Sequence, residues 1–386
     1  MSPLPWAQRR WSQRVPAALL VAIAVYLSVR LPLELLTIGA VGTLPAGPGA
    51  TGMPPLEGPQ ALHAFLRWDS GWYVRIIRDG YSYADCRAPA TPCPQASIAF
   101  LPGYPFLVRG VMGFGLSLPL ASFFVTHLAL ILAIWGLLVL AKQLGADEGG
   151  SKRAAVAMLA FPSGIFLSAG YAEVVFLALG VWGLVFVERG RFLLAALLLA
   201  VGALTRSQGM LLVAAVAGGS LLKRDWRTFL AVSGASGAAV GVYLAWQHVT
   251  YGDALAFLHA RRGWGFLGQP AVDLLKEYWG RTVSGALHLE GWLDFASIPW
   301  LAVTAVLAWR RLGAIYGLYC ASILLVPMAS GQAWALSRIA LCAFPAFLLL
   351  GAWSKNRWVA LGLLVSGLGW LAMAGVRLGN GLFVGT

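Results

Sequence analysis

Charge is what this chain has least of. Only 11% of its 386 residues are Asp, Glu, Lys or Arg, against the roughly 25% usual for soluble domains. Acidic residues are scarcer still, 15 against 28 basic ones, and there are five His and four Cys. Four cysteines in so long a chain exclude a small disulfide-built secreted scaffold. Too little charge and too much apolar surface exclude a disordered segment and a coiled coil. What is there instead is 59% hydrophobic residues, 17 Trp and 46 Gly, with a mean hydropathy of +0.75. A soluble domain of this size has no way to bury that much apolar surface. The composition is that of a polytopic, all-α integral membrane protein.

The formal net charge of +13 does not read as a nucleic-acid footprint. Most of the basic residues are Arg, and they fall in short clusters between apolar runs, the pattern of membrane topology. A spanning helix needs about 20 mostly apolar residues. Runs of that kind fall near 16–38, 117–141, 154–169, 172–187, 192–205, 208–222, 228–248, 292–309, 312–329, 337–353 and 358–376. About 11 spans are therefore expected, forming a single membrane domain over 1–386. Two long stretches, 39–116 and 249–291, are left as outer loops.

Orientation follows from where the short basic clusters fall. Arg9, Arg10 and Arg14 precede the first run; Lys142, Lys152, Arg153, Arg189, Arg191, Lys223, Arg224, Arg227, Arg310, Arg311, Lys355 and Arg357 follow alternate ones. Placing all of these in the cytoplasm puts the N-terminus inside and both long loops outside. The first run has the basic start of a signal peptide. It is long and lacks a clear small-residue cleavage site, so an uncleaved anchor is the expectation.

Cys320 and Cys342 fall inside apolar runs and read as small core residues, and His127, also mid-run, reads as packing. Cys86 and Cys93 are the two ends of CRAPATPC in the first outer loop. On that side of the membrane they are disulfide candidates, with free thiols as the alternative. No metal-ligand cluster stands out, so no metal or other cofactor is expected.

Ionisable residues near membrane depth are costly and usually functional. The densest group is RWDSGWYVRIIRDGYSY at 67–83, where Trp68, Trp72 and Tyr73 flank Asp69 and are followed by Arg75, Arg78 and Asp79. The spacing predicts an amphipathic helix in the interface with its aromatic residues toward lipid. A plain interfacial aromatic belt is the alternative. Further polar residues are Tyr171 and Glu173, Arg206 in TRSQG, Asp253 in YGDALAF, His259, Arg261 and Arg262 with Trp264, and Arg338 in LSRIAL. Each has a plain reading: a wet helix end for Glu173, snorkelling for Arg206 and Arg338, a turn and helix cap for Asp253, a packed or solvated ring for His259. Together, however, all of them fall at the outer ends of spans or in outer loops. That convergence points to one outward-facing polar site.

A carboxylate beside arginines at a membrane surface suits one chemistry in particular. The carboxylate takes a proton from an acceptor hydroxyl or binds a metal, and the arginines steady a departing phosphate. The reaction class is group transfer from a lipid phosphate to an alcohol.

The motifs are also familiar. WDSGWYVRIIRDGY followed by IAFLPGYPF resembles the PIG-V family, mannosyltransferases of the GT-C superfamily. Its W-D-x-x-W-Y, G-Y and A-F-x-P-x-Y-P blocks correspond to Trp68, Asp69, Trp72, Tyr73, Gly80, Tyr81, Ala99, Phe100, Pro102, Tyr104 and Pro105. Tyr171-Ala172-Glu173, Thr205-Arg206-Ser207 and the YGDALAF block follow in the family's order, with departures at Ala172, Ala254 and Ile339. The resemblance implies a GT-C-like fold and an inverting transferase using a polyprenyl-phosphate-linked sugar, with mannose the expected sugar. Its site would lie on the outer face of a bacterial cytoplasmic membrane. Asp69 would be the base, and Arg206 and Arg338 would hold the donor phosphate, with Arg261 and Arg262 as second choices. Glu173, Trp68, Trp72, Tyr73, Tyr171, Asp253 and His259 would contact the sugar or acceptor. The acceptor would be a glycan, glycolipid or protein hydroxyl; membrane lipids surround the chain, and nucleic acid is not expected. Three alternatives remain: a transferase of another sugar, such as glucose or an aminoarabinose; a non-catalytic lipid-linked-sugar binding protein; and a transporter. A transporter should carry its polar groups at the midplane of repeated halves, and the chain shows no clear repeat.

Overall fold

The computed structural model describes residues 15–51, 56–88, 93–265, 270–285, 288–330, 335–354 and 356–384. Arg9, Arg10, Arg14 and Lys355 lie outside these residues. Every regular element among the described residues is helical, and the protein is an integral membrane protein.

The long helix α1 (Val15–Gly39) is followed by the short α2 (Pro48–Thr51), a 3-10 turn at Gln60–Phe65, and α3 (Ser70–Asp79). Next come α4 (Gly103–Met112), α5 (Leu118–Gln143) and α6 (Glu148–Leu159). The bundle continues with α7 (Glu173–Glu188), α8 (Phe192–Ala203), α9 (Ser207–Leu222) and α10 (Trp226–Tyr251). Short α11 (Ala256–His259) and α12 (Ala271–Val283) precede α13 (His288–Arg311) and α14 (Ala314–Ala329). The last three are α15 (Leu336–Leu341), α16 (Pro345–Trp353) and α17 (Arg357–Gly379). Helix α5 packs on α7, α7 on α8, α8 on α10, α9 on α14 and α14 on α13.

Among the described residues, five helices are long and apolar enough to cross a membrane: 17–39, 118–143, 226–251, 291–311 and 360–379. Three further apolar helices, 192–203, 207–222 and 314–329, are shorter. Two of the runs read from the sequence as continuous spans are broken. In 154–169 the helix stops at Leu159, and Pro162 opens a 3-10 turn to Leu167. Phe161 before that proline is extended, at ψ 140°, because the proline ring crowds a preceding helical residue. In 337–353, Pro345 has no N–H to continue α15, and the chain restarts as α16. Both breaks lie beside the site described below.

The helix expected in 67–83 is α3, and it is amphipathic, but its aromatic face does not meet lipid. Tyr73, Val74, Ile76 and Ile77 are buried and Arg75 and Arg78 exposed. The Tyr73 ring packs edge-on against Phe100 and Tyr104, with centroids 5.2 and 5.0 Å apart. The partner that absorbs this face is α4. Pairing with other parts of the protein was invisible to helix periodicity alone.

His127 is likewise more than packing. Its Nδ1 lies 3.0 Å from the Tyr26 hydroxyl and 3.2 Å from Glu34 Oε1. Arg30, one turn before Glu34 on α1, is fully buried and donates from Nη2 to the Leu159 carbonyl at 2.8 Å. That carbonyl lies at the end of α6, where the helix stops and a backbone acceptor is left over.

Candidate functional site

Four chain breaks bring the polar residues together. Asp69 is the N-cap of α3, Glu173 opens α7, Arg206 is the N-cap of α9, and Arg338 lies on the short α15. The segment between α1 and α5 is tied to the α8–α9 turn by the Gly103 N–H, which donates to the Leu204 carbonyl at 2.8 Å. A Cβ at Gly103 would collide with the Thr205 side chain. The P-G-Y-P and T-R-S motifs are therefore in direct contact, and glycine is what allows it.

Local electrostatics explains the placement of the charges. A helix N-terminus favours negative charge, and Glu173 in the first turn of α7 and Asp69 at the start of α3 comply. Arg206 at the start of α9 is the exception, a cation at the positive end of a helix. It is held there by Glu173, whose Oε1 accepts from Arg206 Nη1 at 2.8 Å. The same oxygen accepts from Arg338 Nε, and Arg338 Nη1 donates to Asp69 Oδ2 at 2.6 Å. The Arg338 guanidinium is also covered by the Tyr171 and Phe166 rings, at 4.4 and 5.0 Å from their centroids.

The result is a chain of alternating charge, Asp69–Arg338–Glu173–Arg206. Side-chain exposure is lowest inside it and rises toward both ends: 37% for Asp69, 7% for Arg338, 0% for Glu173 and 14% for Arg206. The more open end is the Asp69 carboxylate. It faces a cavity of about 290 Å³ whose charged lining residues are Asp69, Arg206, Arg261 and Arg338. Trp68, Tyr73, Phe100, Trp264 and Phe383 form its aromatic walls. A few convergent polar groups in an aromatic-walled cavity are the usual make-up of a small-molecule site.

Arg261 stands in the 3-10 turn Ala260–Trp264. Burial, and then the neighbouring charge of Arg206, push its pKa below the ordinary guanidinium value. Two guanidiniums lining one cavity mark a place where an anion is favoured. The N-terminus of α9 adds to that, since Arg206, Ser207 and Gln208 all line the cavity.

Trp68 holds Asp69 in place. Its backbone is left-handed at φ 59°, a conformation a bulky residue adopts only when its surroundings enforce it. Its Nε1 donates to the Leu382 carbonyl at 3.2 Å, and its ring meets Phe383 edge-on at 5.3 Å. The segment after α17 is in turn anchored by Asn380, whose amide donates to the Ala40 carbonyl at 2.8 Å and whose Oδ1 accepts from the N–H groups of Gly42 and Leu44.

Of the residues singled out from sequence, Asp69, Arg206, Arg338, Arg261, Trp68, Tyr73 and Tyr171 line the cavity. The others stand elsewhere. Glu173 is wholly buried behind the two arginines and is their anchor, out of reach of a sugar hydroxyl. Trp72 lies one layer back, stacked on Phe100 at 6.0 Å and edge-on to Trp264 at 5.4 Å. Arg262 turns away from its neighbour Arg261 and donates to the carbonyls of Cys86 and Ala88 at 2.6 and 2.8 Å. Asp253 accepts from the Leu255 N–H at 3.0 Å and pairs with His259 Nδ1 at 2.8 Å. It closes the turn after Gly252, the left-handed residue (φ 67°) that ends α10. Cys86 and Cys93 are joined in a disulfide.

Three features escaped the sequence reading. Arg30 and Glu34 lie one turn apart inside the first apolar run, and Asp294 lies inside the eighth; a charge in an apolar run was the available signal. Phe383 and Asn380 carried none. Among the described residues, no group of three or more His, Cys, Asp or Glu is placed to hold a metal ion.

Comparison with known proteins bears out the family resemblance and the fold. Residues 58–230 match the family described as mannosyltransferase (PIG-V). That stretch holds Asp69, Glu173 and Arg206 but not Arg261 or Arg338. GPI alpha-1,6-mannosyltransferase 2 of Mus musculus is 31% identical over 161 residues, 39% of this chain. The match spans 30% of that protein's length. The crystal structure of ArnT from Cupriavidus metallidurans, bound to undecaprenyl phosphate, covers 96% of this chain and 76% of its own at a TM-score of 0.52 and 15% identity. The oligosaccharyltransferase of Archaeoglobus fulgidus covers 93% of this chain and 53% of its own, with a TM-score of 0.42 and 12% identity. The ArnT likeness shows a shared fold.

Proposed function

We propose that this chain, related to the PIG-V mannosyltransferases through residues 58–230, is an inverting glycosyltransferase. It moves a sugar, with mannose the expected one, from a polyprenyl-phosphate donor to an acceptor hydroxyl. The observation that carries the reading is the charge chain ending on Asp69 at the cavity.

Arg338 binds one oxygen of the Asp69 carboxylate and turns the other, Oδ1, toward the acceptor. That oxygen takes the hydroxyl proton as the acceptor oxygen attacks the anomeric carbon. The bond from that carbon to the phosphate oxygen breaks, and the phosphate leaves with the electron pair. Arg206 and Arg261, beside the start of α9, stabilise the charge that grows on it. Arg338, bound to both Asp69 and Glu173, is the residue that orients the base. The ring walls of Trp68, Tyr73 and Trp264 suit the apolar face of a sugar.

The site lies on the outer side of the membrane in this reading. Glu173 and Arg206 are at the first ends of α7 and α9, whereas Arg189, Lys223 and Arg224 follow the last ends of the same helices. The basic clusters and the cavity thus mark opposite ends of the bundle, which supports an outer site through the positive-inside rule.

The test uses full-length protein in lipid nanodiscs, with polyprenyl-phosphate mannose and a panel of acceptor glycans, glycolipids and peptides. Release of free polyprenyl phosphate is followed. Asp69→Asn is expected to lower turnover by about two orders of magnitude or more, the usual weight of a general base. Equal turnover in the two proteins removes Asp69 from the chemistry. Tight binding of donor without turnover of any sugar in the wild type favours a lipid-linked-sugar binding protein.

A further inference from the structure

Helix α15 has little of its own to hold it. It is six residues long, Leu336–Leu341, and is preceded by Ala335 in the left-handed region at φ 63°. A helix of that length is not stable by itself, and a left-handed alanine adds strain. Yet this helix carries Arg338, whose guanidinium must reach Asp69 and Glu173 at once.

The support comes from α13. Asp294, 3% exposed, accepts from the Ala335 N–H at 2.9 Å through Oδ2 and from the Ser337 N–H at 2.7 Å through Oδ1. It is an N-cap supplied from another helix, satisfying N–H groups that a helix start leaves open. Its Oδ2 also accepts from the Tyr278 hydroxyl at 2.6 Å. Tyr278 belongs to α12, in the second outer segment, and its ring packs 5.5 Å from that of Phe295. Both oxygens of this buried carboxylate are thus used within the protein, and Asp294 does not line the cavity.

We infer that Asp294 is a positioning residue for Arg338, and that its bond to Tyr278 ties the setting of Arg338 to the second outer segment. The inference rests on the reading of Asp69 as the base. A rotation of α15 by part of a turn moves the Arg338 guanidinium off one of its two carboxylates, and Asp69 is the exposed one. The donor phosphate, held by Arg206 and Arg261, is not touched by that movement. Asp294 therefore bears on kcat and not on donor affinity.

The experiment compares wild type, Asp294→Asn and Tyr278→Phe as full-length proteins in nanodiscs. In Asp294→Asn one acceptor oxygen becomes an NH2 facing an N–H donor. We expect kcat to fall about 10²-fold, the scale of a misplaced catalytic geometry, with donor KM unchanged. Amide hydrogen exchange over 335–341 is expected to quicken while the rest of the bundle keeps its protection. Tyr278→Phe keeps both backbone bonds and should fold normally, with a smaller loss in kcat and the same donor KM.

A role through Arg338 also requires that Asp294→Asn cost nothing further in an Arg338→Lys background, whereas a general loss of folded protein would multiply the two effects. Wild-type kcat in both single variants, or multiplied losses in the double variant, overturns the inference. If the wild type turns over no donor, the transferase reading fails and exchange alone decides. Unchanged protection of 335–341 in Asp294→Asn then overturns the capping, and selective loss of it upholds the capping without the chemistry.

Discussion

Glu173→Gln isolates the charge at the centre of the site with almost no change of shape. The carboxylate is wholly buried and its Oε1 accepts from both Arg206 and Arg338. Oε2 is buried with no partner, so an amide fits with its NH2 at that position and its oxygen still accepting. What is lost is the negative charge, which leaves two guanidiniums, 7% and 14% exposed, with Asp69 as their remaining counter-charge. Breaking a buried ion pair costs about 3–5 kcal/mol, and the amide keeps part of the hydrogen bonding, so about 3 kcal/mol is expected here. Glu188→Gln is the control. It weakens one bond from the Tyr316 hydroxyl, 2.9 Å long, at about 1 kcal/mol. Tryptophan fluorescence during thermal unfolding in nanodiscs ranks the proteins. Glu173→Gln should unfold well below Glu188→Gln, and added donor should narrow the gap, because its phosphate supplies the missing charge and binding stabilises the folded state. Unfolding of Glu173→Gln no earlier than that of Glu188→Gln would refute the reasoning, since Glu173 would then not be the counter-charge of both arginines.

Two more predictions follow from interactions outside the cavity. The Cys86–Cys93 disulfide holds the loop whose carbonyls take up Arg262, beside Arg261 and Trp264. Its reduction should remove about 2–4 kcal/mol of constraint and raise donor KM more than it lowers kcat; identical KM in oxidised and reduced protein contradicts this. On α1, Arg30→Met removes the bond from a buried guanidinium to the Leu159 carbonyl, a loss of about 2 kcal/mol; thermal unfolding at the wild-type temperature contradicts this.

The sequence made the participants of the site legible more readily than their arrangement. Asp69, Arg206 and Arg338 stood out because ionisable groups near membrane depth are rare, and they do converge. Arg261 and Arg262 looked equivalent, yet in a short 3-10 turn adjacent side chains diverge, and only the first lines the cavity. Glu173 looked like a ligand for hydroxyls because exposure at a helix start depends on what packs over it, here two guanidiniums from distant segments. The broken runs at Pro162 and Pro345 carried a local signal in the prolines themselves. The wall made by Phe383 had no such signal, since docking of that segment depends on Asn380 reaching across to the turn after α1.

The charges of the site also fit the course of the proposed reaction. Arg206 and Arg338 are tied to the carboxylates of Asp69 and Glu173, and Arg261 also lines the cavity. A sugar-phosphate-lipid diester carries one negative charge. As transfer proceeds, Asp69 is neutralised by the acceptor proton while the departing phosphate becomes a monoester, which carries roughly −1.5 to −2 at neutral pH. The negative charge lost at Asp69 is gained by the phosphate, so the net charge of the occupied cavity hardly changes from donor to product. Glu173 makes this possible by staying ionised and buried throughout. It prevents Arg206 and Arg338 from repelling each other when Asp69 loses its charge, which is when the arginines are needed most.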